Sequence, residues 1–155
     1  MTHPRWLDER EQQAWRSLMA MQASLSEYIE RQLRTHSGLS SADYQVLVHL
    51  VDVPGGLRPF ALSNVLQWEK SRLSQHLGRM QKRGLVLRKR CPTDHRGAVV
   101  VITERGRDLI EAAAPLHVAD VGSALIDHLT PEQLNQLCVL GDQVKTRLAA
   151  IAQHR

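Results

Sequence analysis

Residues 68–84, WEKSRLSQHLGRMQKRG, carry five Lys/Arg side chains and a single acid, Glu69. At 3.6 residues per helical turn, Leu73, Leu77 and Met80 fall on one narrow apolar face. The opposite face then collects a row of cationic and amide side chains, namely Arg72, Gln75, Arg79 and Lys82. Such a row can neutralise and hydrogen-bond an anionic polymer, so this segment predicts a surface that binds a polyanion.

The positive charge of the whole chain is concentrated around this segment. The protein has 155 residues, a formal net charge of +4 and a sequence pI of about 9.5. Between Arg58 and Arg96 there are ten Lys/Arg and two acids, whereas the remainder of the chain is net acidic. Segregated basic charge of this kind is expected of a nucleic-acid binder.

The pattern before this segment predicts two helices. Residues 7–35 show an apolar stripe at helical spacing. Ser40 then begins a second helix, with Asp43 at the capping-box position, and Pro54-Gly55-Gly56 ends it. The buried face of the second helix is predicted at Tyr44, Leu47, Val48 and Val51.

The central region predicts a helix-turn-helix followed by a hairpin. A short helix within residues 58–66 precedes the cationic helix, which Gly84 ends as a C′ glycine. Residues 85–90 and 98–102 have strand character, and the CPTDHRG link between them is rich in turn formers. A helix-turn-helix with such a hairpin is a winged helix.

Two further helices follow the hairpin. Thr103 is expected to cap a long helix that runs to about Leu129, with a bend near Pro115. Thr130-Pro131-Glu132-Gln133 is a helix start, and the last helix carries a heptad-like stripe at Leu134, Leu137, Gly141, Val144, Leu148 and Ile151. The terminal helices are therefore expected to pack against each other and against a second subunit.

The cationic helix has the side chains needed to read base pairs. An α-helix fits the major groove of B-DNA, where Arg bonds guanine and Gln bonds adenine in bidentate fashion. Lys82 and Arg83, nearer the end of the helix, are expected to meet phosphates, and His76 is expected at the shoulder of the exposed face. Ser71 and Ser74 are small enough to allow close approach of the backbone.

Residues 57–110 resemble the MarR family, the multiple-antibiotic-resistance regulators. The features that carry the resemblance are Ala61-Leu62 with Leu66, Arg79-Met80 with Gly84-Leu85-Val86 and Arg88, Asp94 with Arg96, and Val101-Ile102-Thr103 with Gly106. Met80 and Ile102 depart from the family's commoner leucines.

The resemblance implies a mostly α fold with a small β-hairpin wing. It also implies a winged helix-turn-helix DNA-binding domain at residues 40–103 and an interlocked dimerisation region formed by residues 1–36 and 104–155. A homodimer of this type would bind double-stranded DNA at a pseudopalindromic operator. The family's usual role implies a repressor that a small phenolic or aromatic molecule releases from DNA.

Position by position, the resemblance places the recognition role on the cationic helix and the wing. Arg96 corresponds to the wing arginine that enters the minor groove. Asp94 is expected to orient it or to pair with a recognition-helix arginine, unless it serves only as a turn former. The full set of predicted DNA-binding residues is Lys70, Ser71, Arg72, Ser74, Gln75, His76, Arg79, Lys82, Arg88, Arg90, Asp94, His95 and Arg96. Predicted ligand-binding residues are Trp15, Tyr44 and His49.

Several other functions are disfavoured by the sequence. No catalytic constellation, metal-ligand spacing or cofactor motif is present, so we expect neither an enzyme nor a cofactor. No apolar run approaches the ~20 residues of a membrane span, and a cytoplasmic protein is expected. Three alternatives stay open: a nonspecific architectural DNA binder, a repressor switched by oxidation of Cys91 beside Arg88–Arg90, and a small-molecule detoxifying enzyme.

Overall fold

The structure is a computed structural model that describes residues 5–91, 93 and 97–153. The chain separates into two compact units, one extending to His117 and the other beginning at Val118. The elements follow one another as α1 (Glu9–Ser37), α2 (Ser41–Leu50), α3 (Pro59–Leu66), α4 (Lys70–Lys82), β1 (Val86–Arg90), β2 (Ala98–Ile102), α5 (Glu104–Ala124), a 3-10 turn (Ile126–His128) and α6 (Pro131–Gln153). This order confirms the predicted winged helix-turn-helix with flanking helices.

Side-chain caps fix the starts of α1, α2, α5 and α6. The Ser40 hydroxyl accepts from the Asp43 amide at 3.0 Å, and the Asp43 carboxylate accepts from the Ser40 amide at 2.9 Å, which confirms the predicted capping box of α2. Thr130 and Gln133 make the same reciprocal pair at the start of α6. At the start of α5 the Thr103 hydroxyl accepts from the Gly106 amide at 3.0 Å.

The hydrophobic core lies in the winged-helix region. Its fully buried side chains come from α2, α3, α4, the wing and the first half of α5, and include Leu47, Leu62, Leu77, Met80, Val86, Val100 and Ile110. In α4 the predicted apolar face is confirmed, because Leu73, Leu77 and Met80 are all buried. Burial on that side turns the polar side of α4 toward solvent.

The wing is a two-stranded antiparallel hairpin tied to the α2–α3 loop. Val86 pairs with Ile102 and Arg90 pairs with Ala98. Beside this hairpin, Leu57 and Val100 exchange two backbone hydrogen bonds, of 2.9 and 2.7 Å. Gly56 precedes this bridge with a φ of +82°, and a Cβ there would lie 2.1 Å from the Val100 carbonyl oxygen. Only glycine fits so close an approach.

Two predictions about individual helices are wrong. Val48 was expected on the buried face of α2, but it is exposed, while Val46 and Leu50 are buried. The reason is that α2 contacts α1, α3 and β2, which buries a wider surface than one helical stripe. The helix that was expected to reach about Leu129 ends at Ala124, where i→i+3 bonding begins a 3-10 turn.

The terminal helices leave their apolar residues exposed. In α1, Leu33 is the buried residue among the positions described, whereas Trp15, Leu18 and Met21 are exposed. In the described part of α6 no residue is buried, and the predicted stripe at Leu137, Val144, Leu148 and Ile151 faces solvent in the single chain. Within the stretch Glu104–His128, which includes α5, an 18-residue window has a mean hydropathy of 1.4, apolar enough for a membrane span by length and composition alone.

Candidate nucleic-acid interface

The exposed side of α4 displays the polar row that the sequence predicts. Arg72, Gln75, Arg79 and Lys82 are all exposed, as are Lys70, Ser71 and Ser74 near the start of the helix. The turn between α3 and α4 is made by Gln67, which adopts a left-handed φ of 56°. Its neighbour Trp68 donates its amide to the Ser63 carbonyl at 3.1 Å. The turn thus fixes α4 against α3, with the cationic row outward.

Two cations at the start of α4 lie over aromatic rings. The Arg72 guanidinium lies 4.2 Å from the centroid of the Trp68 ring, and the Lys70 ammonium lies 5.7 Å from that of Phe60. Trp68 is 9% exposed, so its ring is a fixed support. Stacking on aromatic faces restricts a guanidinium while leaving its edge free to donate hydrogen bonds. Apart from the closeness of the two residues in the chain, no sequence pattern indicates the contact between Arg72 and Trp68.

The wing contacts α4 through a cation of β1. Arg88 donates to the carbonyl of Ser74 at 2.7 Å, which joins the strand to the middle of the cationic helix. Arg90 lies on the same strand and is exposed. Arg88 therefore holds the wing and α4 together, and this tertiary role was not anticipated from the sequence. The predicted wing residues Asp94, His95 and Arg96 lie outside the described residues.

The placement of His76 corrects a prediction. Its ring was expected at the shoulder of the exposed face, but the residue is only 9% exposed. Nε2 lies 3.0 Å from Oδ1 of Asp43, and Nδ1 lies 3.2 Å from a guanidinium nitrogen of Arg79. The ring is drawn inward because a buried carboxylate of α2 provides its partner. A helical wheel of α4 alone contains no information about that carboxylate.

Arg83 was expected to meet phosphate, and it too contacts Asp43. Its Nη1 donates to Oδ2 of Asp43 at 2.6 Å. Burial of this carboxylate raises its pKa, but the hydrogen bonds from His76, Ser40 and Arg83 together with the Arg83 charge outweigh burial. The pKa of Asp43 is therefore held well below its usual range.

The three predicted ligand-binding residues lie in different environments. Trp15 is exposed on α1, and His49 is exposed on α2. Tyr44 is buried on α2 with its ring centroid 4.3 Å from that of His117, and burial raises the pKa of its hydroxyl. His117 is a neighbour that the sequence did not indicate.

A cavity of about 390 Å³ opens between α3, α4 and the wing. Its floor is apolar, formed in part by Phe60, Leu73 and Leu77, and Lys70 and Arg88 also line it. An apolar cavity with two cations suits a small aromatic acid. The sequence offered no pattern that could locate this cavity, because its residues come from four elements.

Cys91 directly follows β1 and is buried. A guanidinium nitrogen of Arg58 lies 3.7 Å from its sulfur, and the Thr93 hydroxyl lies 3.3 Å from it. Cys138 is exposed on α6. Among the described residues no group of three His, Cys, Asp or Glu side chains is arranged to hold a metal ion.

A helix-turn-helix with an exposed cationic second helix and an adjoining hairpin defines the class of winged-helix DNA-binding proteins. A model described as "MarR family" matches residues 37–97. AbsC of Streptomyces coelicolor, a MarR family transcriptional regulator, is 36% identical and superposes with a TM-score of 0.88 over 95% of this chain and 99% of AbsC.

Sco3205 of Streptomyces coelicolor, a MarR family regulator solved in complex with DNA, is also 36% identical. It superposes with a TM-score of 0.87 over 92% of this chain and 90% of that protein. The transcriptional regulator HosA of Escherichia coli O111:H- is 35% identical over 78 residues, which span 50% of this chain and 57% of HosA.

The chain belongs to the MarR family. It is a DNA-binding transcriptional regulator of that type, in a family of regulators rather than enzymes. In such a regulator the stretch Glu104–His128 is not a membrane span. Contact with a lipid bilayer therefore does not explain why its apolar side chains are exposed.

Proposed function

We propose that the protein is a homodimeric repressor that reads a pseudopalindromic DNA operator and is released by a small aromatic acid. Residues 40–103 form its DNA-binding domain, and residues 1–36 and 104–155 form its dimerisation helices. The observation that carries the proposal is the exposed row of Arg72, Gln75, Arg79 and Lys82 on α4. Such a helix fits the major groove, where these side chains read bases and phosphates.

The exposed apolar side chains of the terminal helices support the homodimer. Trp15 and Leu18 of α1 are 55% and 46% exposed, and Val144 and Leu148 of α6 are 57% and 59% exposed. Apolar surface of this extent marks an interaction site. In a two-fold dimer each stripe meets the second subunit, and the two α4 helices face successive major grooves.

The cavity beside α4 supports release by a small acid. A carboxylate held by Lys70 and Arg88 would neutralise two cations that are predicted to bind DNA. Release then follows because the ligand and DNA prefer different states of the same surface, and the ligand's differential affinity sets the size of the effect. Ligand binding by Trp15, Tyr44 and His49 stays a prediction.

Fluorescence anisotropy tests the proposal. The full chain is titrated into a labelled duplex from its own upstream region and into a scrambled duplex, at ~150 mM salt. We expect a preference for the upstream duplex of ~10³-fold or more, which is the range of specific regulators. Equal and salt-sensitive binding to both duplexes would instead indicate an architectural DNA binder. Salicylate or benzoate is then added to test release.

A pair of substitutions on α4 separates base reading from phosphate binding. Arg72→Ala is expected to cost about 1–3 kcal/mol and to relax the preference at one base pair. Lys82→Ala is expected to weaken all duplexes alike and to reduce the slope of log affinity against log salt by about one. Both are measured by anisotropy over a set of single-base operator variants. A uniform loss for Arg72→Ala would contradict its assignment to a base.

A further inference from the structure

The two ring nitrogens of His76 have partners that define its protonation. Arg79 is a permanent donor, so Nδ1 at 3.2 Å from its guanidinium must act as the acceptor. Asp43 presents a carboxylate, which can only accept, 3.0 Å from Nε2. A proton on Nε2 gives each neighbour a complementary atom, and Nε2 and Oδ1 of Asp43 are in close contact without the alignment of a full hydrogen bond.

Asp43 is a fixed anchor for this ring. Its side chain is fully buried, and its second oxygen already accepts from the Ser40 amide at 2.9 Å and from Arg83 at 2.6 Å. The carboxylate therefore belongs to the capping box of α2 and cannot rotate without breaking that box. Its remaining oxygen faces His76 and thereby determines which ring nitrogen is left to accept from Arg79.

Trp68 contacts both the His76 ring and a second arginine, Arg72. Its ring meets the His76 ring edge-on, with centroids 5.6 Å apart and planes at 84°. Arg72 lies over the Trp68 ring at 4.2 Å. Both exposed arginines of α4 that are expected to read bases thus rest on buried side chains, and these buried side chains contact each other.

We propose that His76 is a positioning residue for base reading, which holds Arg79 through Nδ1 and, with Trp68, sets the orientation of Arg72. Asp43 contributes indirectly, because its contact with Nε2 fixes the tautomer of the ring. An arginine that is already held in place loses less conformational freedom when it binds a base, so specific binding gains more than nonspecific binding. The inference rests on the proposed function, since it assumes that these arginines read DNA.

Two substitutions separate the two ring nitrogens. His76→Asn retains a carbonyl oxygen close to the position of Nδ1, and therefore an acceptor for Arg79. His76→Gln places its amide near Nε2 and retains the donor toward Asp43, but it removes the acceptor for Arg79. Both variants lose the ring and its edge contact with Trp68, so they differ in which neighbour keeps a partner: Arg79 in His76→Asn and Asp43 in His76→Gln.

The experiment is a double-mutant cycle with Arg79→Ala, using the full chain and the ratio of affinities for the operator and the scrambled duplex. We expect His76→Gln to lower this ratio about tenfold in the presence of Arg79 and to leave it unchanged in the Arg79→Ala background, as for residues in contact. His76→Asn is expected to retain most of the ratio. His36→Gln, the same change at an exposed histidine of α1, is the control.

A second arm tests the Trp68 contact in the event that the His76→Gln chain does not fold. Trp68→Phe keeps an aromatic ring with a weaker attraction for a guanidinium, and it is expected to lower the ratio about threefold only when Arg72 is present. Thermal unfolding of every variant is measured in parallel. A merely structural role would lower the melting temperature and reduce affinity for both duplexes equally.

The outcomes distinguish this inference from the proposed function. An unaltered protein with no preference for its operator would refute the proposed function and the inference with it. A normal preference that falls equally for His76→Asn and His76→Gln, or that falls in the Arg79→Ala background as well, would overturn the inference and leave the repressor function intact.

Discussion

The winged-helix region and the terminal helix α6 have similar sequence patterns but bury their apolar residues differently. In α4 the apolar face is buried, with Leu73, Leu77 and Met80 at 1% exposure or less. In α6 the stripe has the same helical periodicity, yet Leu148 is 59% exposed. Periodicity therefore identifies which side of a helix will be buried, but it does not say whether the partner lies in the same chain.

The largest effect is expected from removal of residues 131–155, which include the whole of α6. We expect the shortened chain to lose the dimer entirely, because α6 supplies an exposed apolar stripe that needs a second subunit. Specific operator binding should be lost with it, since one subunit contacts one half-site. Analytical ultracentrifugation and anisotropy measure the two effects. A monomer that still bound the operator tightly would contradict the proposed architecture.

Two leucine substitutions compare the regions directly. Leu77→Ala is expected to lower the free energy of unfolding by about 2–5 kcal/mol, because it leaves a cavity in a filled core. Leu148→Ala is expected to weaken dimerisation about tenfold or more, since a buried leucine contributes about 1.5–3 kcal/mol. Urea denaturation at several protein concentrations separates the effects. Leu148→Ala with an unchanged dimer would place α6 outside the interface.

Asp43→Asn tests the buried charge of the winged-helix region. The pKa of Asp43 is lowered by folding, so its stabilisation is complete above its unfolded pKa of about 4 and is lost as the pH falls toward the folded value. We expect the variant to lose about 2–3 kcal/mol at pH 7, because charged hydrogen bonds to His76 and Arg83 are replaced. Urea denaturation should show that the difference in free energy of unfolding between the unaltered protein and Asp43→Asn becomes smaller from pH 7 to pH 3. A difference that does not depend on pH would exclude a role for the charge.

Substitutions of the helix caps are expected to have the smallest effects, and they compare the stability of α2 with the dimerisation of α6. Ser40→Ala and Thr130→Ala each remove a side-chain acceptor from a helix start and should each cost about 1 kcal/mol. The loss at Ser40 should appear as a lower urea midpoint that does not depend on protein concentration. The loss at Thr130 should instead appear as weaker dimerisation. If both variants lost stability without any change in dimerisation, α6 would be stable without a partner.

Local features of the fold were predictable because they depend on neighbouring residues. The capping box of Ser40 and Asp43, the Thr130 start of α6 and the glycine after α4 are all set within a few positions of the chain. The apolar face of α4 was predictable for the same reason. The error at Val48 arose because α2 is contacted from several sides, which a single helical stripe does not describe.

The candidate site was predictable only on its outer surface. The exposure of Arg72, Gln75 and Arg79 follows from the period of α4, and the family resemblance added their expected role. The inward position of His76 and the contact of Arg83 with Asp43 join residues from different helices. A pattern within one helix cannot show a contact between two helices. In addition, the capping box already accounts for Asp43, so the sequence offers no reason to look for further partners of this acid.

The bridge between Leu57 and Val100 restrains the wing, because it joins β2 to the α2–α3 loop. A hairpin of two strands is marginal alone, but two extra hydrogen bonds tie the middle of β2 to the α2–α3 loop. The amides of Leu57 and Val100 should therefore exchange with deuterium only when the winged-helix region opens as a unit. A displacement of the α2–α3 loop is therefore expected to move β2 with it.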